Sequence, residues 1–120
     1  MKILIVEDSP TMRRIVKNTL KRIGYSEFEE AEDGLSALTK LADSSIDFII
    51  TDWNMPEMNG LDFIQRVKSN STYSKIPILM VTTRSVEQDV LKALEAGAAS
   101  YIIKPFTPQV MREKINEILN

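Results

Sequence analysis

The stretch FIITDWNMPEMNG (residues 48–60) combines the clearest strand signal of the chain with a carboxylate placed directly after it. An apolar, β-branched run suited to a buried strand ends on Asp52 and passes into turn-forming residues. An aspartate that ends a strand is by itself an ordinary surface residue. A functional interpretation requires that other strands bring matching groups to the same place.

Short apolar runs recur along the chain. They are ILIV (residues 3–6), FII (48–50), IPILMVT (76–82) and YII (101–103). Because these runs are nearly continuous rather than alternating, they predict strands that are buried on both faces of a parallel sheet. The segment SEFEEA (26–31) is more polar, and it predicts an edge strand.

Amphipathic segments lie between the strands, and apolar residues spaced three and four apart predict five helices. The five sets are Met12, Ile15, Val16, Thr19, Leu20 and Ile23; Leu35, Leu38 and Ala42; Leu61, Ile64 and Val67; Val86, Val90, Leu91 and Leu94; and Met111, Ile115, Ile118 and Leu119. The pairs SP (9–10) and TP (107–108) are typical helix starts, and Gly24 and Gly97 are typical helix ends.

This alternation predicts an α/β fold, a doubly wound five-stranded parallel sheet in the order 2-1-3-4-5 with five helices. The order places the polar second strand at an edge. Ligands of such sheets bind beyond the carboxyl ends of the strands where the strand order reverses, here between strands 1 and 3. Because the last helix reaches Asn120, we expect residues 1–120 to form one domain without an output domain.

The composition excludes several classes of function. A net charge of −2 offers no basic surface for nucleic acid, and there are no cysteines and no histidines to bind zinc or to carry a phosphoryl group. The N-terminal MKILIVED has too few consecutive apolar residues for a signal peptide, and no apolar run of the chain is long enough to span a membrane. We therefore expect a cytoplasmic protein.

Polar side chains follow four of the predicted strands. They are Glu7 and Asp8 after strand 1, Asp52 after strand 3, Thr82 and Thr83 after strand 4, and Lys104 after strand 5. Parallel strands bring all of these to one edge of the sheet. Clustered carboxylates repel unless a cation lies between them, and oxygen ligands without cysteine or histidine favour Mg²⁺.

The remaining groups at this edge suit phosphoryl transfer. Lys104 supplies a cation and Thr82 a hydroxyl for phosphoryl oxygens. With the other acids satisfied by the metal, Asp52 is the predicted nucleophile. Positioning and charge neutralisation would supply most of the catalysis.

The sequence resembles the receiver domains of bacterial two-component response regulators, and among them the chemotaxis regulators. The resemblance covers essentially the whole chain and is carried by ED (7–8), SPTMRRIVKNTL (9–20), EEAEDG (29–34), TDWNMPEMNG (51–60), PILMVTT (77–83) and AGAASYIIKPFTP (96–108). The strand order 2-1-3-4-5 is that of this family, so the topology prediction and the resemblance are not independent.

The resemblance implies a role for each residue of the site. Asp52 would accept a phosphoryl group from a phosphohistidine, and Mg²⁺ would bind Asp8, Asp52, the main-chain carbonyl of Asn54 and, through water, Glu7. Lys104 would contact the phosphoryl group, and its bond to Pro105 would be cis. Thr82 and Tyr101 would act as the switch, Thr82 moving toward the phosphoryl group and Tyr101 turning inward.

The resemblance also implies partners. A chemotaxis histidine kinase would donate the phosphoryl group, a phosphatase would be a further partner, and the chain itself would be a monomer. The face of helix 4, strand 5 and helix 5 would change its affinity for the flagellar motor switch. Thr83 stands where relatives often have alanine, and the charges of Arg84 and Glu87 differ from those of familiar relatives, so we expect a different phosphoryl lifetime and different partner contacts.

Other functions of this fold class remain open to test. A flavin mononucleotide binder would need a hydroxyl- and glycine-rich loop where this chain has the acidic EDSP (7–10), and a dinucleotide enzyme would need G-x-G-x-x-G. A dehalogenase-type phosphatase would have a second aspartate at the position of Asn54. The serious alternative is a stand-alone receiver in a phosphorelay or docking pathway unrelated to chemotaxis.

Overall fold

Five strands and five helices alternate along the chain in the computed structural model, which describes every residue of Met1–Asn120. The strands are β1 (Lys2–Val6), β2 (Glu27–Ala31), β3 (Phe48–Thr51), β4 (Ile78–Thr82) and β5 (Ser100–Ile103). The helices are α1 (Pro10–Arg22), α2 (Gly34–Asp43), α3 (Gly60–Lys68), α4 (Glu87–Ala96) and α5 (Pro108–Leu119). The predicted number and sequence of elements are confirmed.

The strands form one parallel sheet in the order β2-β1-β3-β4-β5, as predicted. The central strands β1 and β3 pair so that Val6 lies beside Thr51. The ladder continues with the main-chain N–H of Asp52, which donates to the carbonyl of Val6 at 2.9 Å. The residues that follow these two strands, Glu7 and Asp52, therefore emerge side by side.

The core consists of two apolar clusters, one on each face of the sheet. Leu4 and Val6 of β1 belong to one cluster, and Ile3 and Ile5 belong to the other. Because successive side chains of a strand point to opposite faces, a strand covered on both sides must be apolar at every position. This explains the uninterrupted apolar runs in the sequence.

The predicted helix starts are confirmed at both ends of the chain. The hydroxyl of Ser9 accepts a hydrogen bond from the N–H of Met12, and that of Thr107 accepts one from the N–H of Val110, with a proline at the first helical position in both cases. The predicted start of β4 is two residues early. The observed strand begins after Pro77, which has no N–H to donate to a ladder.

Part of the predicted apolar helix surface faces solvent rather than the core. The exposed members of the predicted stripes are Ile15, Leu35, Val86, Leu91, Leu94 and Leu119. The correction is largest for α4, which buries only Ala93 and begins after Val86 rather than at it. The spacing of these residues is helical, but no layer of the fold covers them. No helix of the fold is both long and apolar enough to cross a lipid bilayer.

Candidate functional site

Three carboxylates meet at the carboxyl edge of the sheet, as predicted. Oxygens of Glu7, Asp8 and Asp52 all lie within 4.8 Å of one another. Glu7 is buried, Asp52 is half-buried and Asp8 is exposed. The cluster follows from the pairing of β1 with β3, because that pairing brings the ends of the two strands together.

Lys104 provides the positive charge of the cluster. Its Nζ lies 2.6 Å from Oε1 of Glu7 and 3.2 Å from Oδ2 of Asp52, and only 8% of its side chain is exposed. Its main-chain N–H donates to the carbonyl of Thr82 at 2.8 Å, which fixes the end of β5 against β4. The peptide bond between Lys104 and Pro105 is cis, as the resemblance implied.

Glu7 is a carboxylate of the cluster whose pKa is shifted. Burial raises the pKa of Glu7 above its usual value, and the nearby carboxylate of Asp52 adds to the increase. Hydrogen bonds from Lys104 and from the N–H of Ser9 oppose this increase only in part. Three carboxylates gather here around a single lysine, and a further cation between them would be favoured.

Asp52 is held by both of its carboxylate oxygens. Oδ2 contacts Lys104, and Oδ1 accepts a hydrogen bond from the N–H of Trp53 at 2.6 Å. The loop that follows turns back, since the N–H of Gly60 donates to the carbonyl of Trp53 at 2.8 Å. A carboxylate fixed in this way is oriented before any ligand arrives.

The donor atoms of the cluster fit a hard divalent cation. They are oxygens only, and several belong to side chains that carry a full negative charge. A cavity of about 470 Å³ opens beside the acids and is lined by Asp8, Trp53, Asn54, Met55, Pro56, Asn59 and Arg84. Asn54 is thus at the site, although its side-chain oxygen accepts a hydrogen bond from Nε of Arg84 at 3.1 Å.

The two predicted switch residues lie at the same edge but make no side-chain hydrogen bond to Asp52. Thr82 is fully buried, and its hydroxyl oxygen accepts the N–H of Arg84 at 3.4 Å. The hydroxyl of Tyr101 donates to the carbonyl of Arg84 at 2.8 Å. The structure therefore brings the carboxylates of Glu7, Asp8 and Asp52 together, with Lys104 in contact with Glu7 and Asp52. Thr82 is linked to this group by its carbonyl, which accepts the N–H of Lys104, and Tyr101 is linked to Thr82 through Arg84.

Comparison with known proteins places this geometry in a family. The model of the response regulator receiver domain matches residues 3–116, which include every residue of the acidic cluster and Lys104. The chain belongs to the receiver-domain family.

Curated relatives match this receiver domain over nearly its whole length. It is 54% identical to chemotaxis protein CheY1 of Helicobacter pylori, over 99% of this chain and 97% of the relative. It is 52% identical to the chemotaxis protein CheY homolog of Campylobacter jejuni, over 99% of this chain and 92% of the relative.

Solved structures share the fold at lower sequence identity. Chemotaxis response regulator CheY4 of Vibrio cholerae superposes with a TM-score of 0.88 at 38% identity, over 98% of this chain and 97% of that chain. The receiver domain of a signal transduction histidine kinase from Syntrophus aciditrophicus superposes with a TM-score of 0.88 at 36% identity, over 98% and 89%. The predicted fold class is confirmed.

The contact between Trp53 and Arg84 was not predicted from the sequence of this receiver domain. Trp53, whose sequence position left open either an exposed loop or a pocket wall, forms a wall of the site, and only 6% of its surface is exposed. The guanidinium of Arg84 lies over its ring, with Cζ 4.6 Å from the ring centroid. The sequence shows that Arg84 stands two residues beyond the end of β4, but it does not indicate the partners, which lie in the loop after β3 and in α4.

Tyr101 should make the stability of the receiver domain sensitive to alkaline pH. Burial raises its pKa from 10.0 to about 12, with a further contribution from the carboxylate of Asp89. A group whose pKa is raised on folding contributes stability that is fully present below its unfolded pKa and is lost as the pH rises through its folded pKa. The free energy of unfolding should therefore decrease between pH 10 and 12 more in the wild type than in Tyr101→Phe. Urea unfolding of the wild type and of Tyr101→Phe across this range measures the difference. Parallel curves of unfolding free energy against pH would contradict the expectation.

Proposed function

We propose that this receiver domain is a chemotaxis response regulator that accepts a phosphoryl group on Asp52 and, once phosphorylated, docks to the flagellar motor switch. The observation that carries the proposal is the Asp52 carboxylate, held between the Lys104 ammonium at 3.2 Å and the Trp53 N–H at 2.6 Å beside two further acids. The names of the relatives support the chemotaxis assignment.

The phosphoryl donor would be a phosphohistidine on a partner kinase; the chain has no histidine of its own, so a histidine donor belongs to another protein. A carboxylate oxygen of Asp52 attacks the phosphorus, the P–O bond forms, and the P–N bond to the donor imidazole breaks. The imidazole leaves as the neutral donor side chain after taking a proton from solvent. The Lys104 ammonium would stabilise the negative charge on the phosphoryl oxygens, because its Nζ already contacts the acceptor Asp52 and its neighbour Glu7.

Magnesium would be held by Asp8, Asp52 and the main-chain carbonyl of Asn54, with Glu7 acting through water. When bound, Mg²⁺ neutralises phosphoryl oxygens and keeps donor and acceptor in line. The carboxylates of this chain would supply its negative ligands, and they outnumber the one lysine in contact with them.

Phosphorylation would be transmitted by Thr82 and Tyr101 to the face formed by α4, β5 and α5. Both residues are bonded to Arg84, so a shift of the loop after β4 reaches both. The face itself carries exposed apolar side chains, namely Leu91, Leu94, Ile103 and Val110. Exposed apolar groups that are spread over adjacent elements suit a protein partner.

The chain would act as a monomer, and its compartment would be the cytoplasm, where the ATP that a histidine kinase uses is available. A phosphatase partner would shorten the lifetime of the phosphorylated form. A stand-alone receiver in another phosphorelay is the second candidate, since the same fold with 36% identity occurs in a receiver domain of a histidine kinase.

Acetyl phosphate tests the chemistry without any partner. Wild-type protein incubated with acetyl phosphate and Mg²⁺ should gain the mass of one phosphoryl group, and this adduct should be lost on incubation at alkaline pH because acyl phosphates hydrolyse there. Without Mg²⁺, the adduct should form far more slowly. The absence of any adduct with Mg²⁺ present would contradict phosphoryl acceptance.

Partner binding separates the two candidate pathways. The phosphorylated protein should bind a peptide or domain of the flagellar motor switch at least about tenfold more tightly than the unphosphorylated protein, a coupling of ordinary size for allosteric proteins. Rapid phosphoryl transfer from this protein to a histidine phosphotransfer domain, without binding to the switch, would favour the phosphorelay.

A further inference from the structure

Arg84 connects the cavity beside the acids to α4. Its Nε donates to Oδ1 of Asn54 at 3.1 Å, and its Nη1 lies 3.2 Å from Oδ2 of Asp89 in the first turn of α4. The plane of the guanidinium lies over the Trp53 ring at 4.6 Å. One side chain therefore contacts two residues of the loop that follows β3 and one residue of α4.

Arg84 is also the one cation that lines the cavity, in which Asp8 is the anionic residue. Asp89 does not line this cavity, and 19% of its side chain is exposed. Asp89 thus pairs with the guanidinium without being part of the cavity wall. If that partner is lost, the guanidinium keeps its contacts to Asn54 and Trp53 but acts on the cavity as an uncompensated positive charge.

We propose that Arg84 acts as a clasp, by which we mean that its ion pair with Asp89 links cation binding at the acidic cluster to the position of α4. The proposal rests on the proposed function, because it concerns the Mg²⁺ site of that function. With Asp89 in place, the charge of Arg84 is balanced and a divalent cation is tolerated. When α4 moves Asp89 away, Arg84 opposes the cation, and by linkage a bound cation favours the position of α4 that keeps the pair closed.

The main chain of Arg84 extends the linkage to β5. Its carbonyl accepts the hydroxyl of Tyr101, and its N–H donates to Thr82. A displacement of Arg84 therefore also changes the surroundings of both switch residues. Arg84 is a positioning residue in this scheme, since it need not touch the phosphoryl group.

A double-mutant cycle measured by isothermal titration calorimetry of Mg²⁺ tests the clasp without phosphorylation. We expect Asp89→Asn to weaken Mg²⁺ binding about two- to fivefold in the presence of Arg84, the range expected for a partly exposed ion pair. In the Arg84→Gln background the same substitution should change the affinity by less than about 1.5-fold, because no cation is left to balance. Arg84→Gln alone should bind Mg²⁺ more tightly than the wild type.

Arg84→Lys is the matched control, because it keeps the charge but loses the planar fork that reaches Asn54 and Asp89 together. In this background Asp89→Asn should have at most half its wild-type effect on the binding free energy. If Asp89→Asn changes the Mg²⁺ affinity equally in the wild type, in Arg84→Lys and in Arg84→Gln, the clasp is overturned and the proposed function is left intact. A wild-type protein that binds no Mg²⁺ would overturn both, and circular dichroism confirms that each variant is folded.

Discussion

Asp52→Asn should form no phosphoryl adduct with acetyl phosphate at any Mg²⁺ concentration, whereas Asp8→Asn should recover adduct formation when Mg²⁺ is raised. Both substitutions remove one negative charge from the same cluster. Only Asp52 is fixed by Lys104 and by the Trp53 N–H, in the position of an oriented nucleophile. An amide at position 52 cannot form the acyl phosphate, and no additional metal replaces the lost oxygen.

Asp8 should instead determine the affinity for the metal. It is exposed at the rim of the cluster and has no hydrogen bond to Lys104. Even indirect partners of metal ligands are worth about 10- to 100-fold in affinity, so the loss of Asp8 should weaken Mg²⁺ binding by at least about tenfold. Intact mass after incubation over a series of Mg²⁺ concentrations measures both variants. An adduct on Asp52→Asn, or a loss in Asp8→Asn that high Mg²⁺ does not restore, would contradict the division of roles.

The fold was largely predictable because its signals are local. Continuous apolar runs indicated strands covered on both faces, and the polar edge strand β2 fixed one end of the strand order. The first and last helices were marked by hydroxyl caps followed by proline. The exposure of α4 was not predictable, because its apolar spacing is the same whether a neighbouring layer covers it or a partner does.

The acidic cluster was predictable for a different reason. Strand ends of a parallel sheet share one edge, so the position of each acid after its strand was enough to bring Glu7 and Asp52 together. The contacts of Arg84 were not predictable, because they join the loop after β4 to the loop after β3 and to α4, and the relative positions of these segments depend on packing rather than on any local pattern. The burial of Trp53 depends on the same loops.

Gly60→Ala should damage both the fold and the site, although it adds a single methyl group. A Cβ at this position would overlap the carbonyl oxygen of Asp52 and lie 2.9 Å from Cα of Trp53. Both obstacles are main-chain atoms, which cannot rotate away as a side chain can. We expect a loss of about 3 kcal/mol in the free energy of unfolding, at the upper end for overpacking. We also expect much slower adduct formation, because the displaced main chain carries Asp52.

Gly34→Ala is the matched control for this prediction. Each glycine is the first residue of a helix and follows an N-cap residue, Asp33 in one case and Asn59 in the other, whose side chain accepts a main-chain N–H. The nearest neighbours of a Cβ at Gly34 would be Cγ, Cβ and Sδ of Met58, at 2.8–2.9 Å. Because Cγ and Sδ can rotate away and only the Met58 Cβ has to shift with its main chain, this variant should lose less than Gly60→Ala, about 1 kcal/mol. Urea unfolding and adduct formation, measured on both variants, decide the matter: equal losses would mean that the close approach of Gly60 to Asp52 does not position the phosphoryl acceptor.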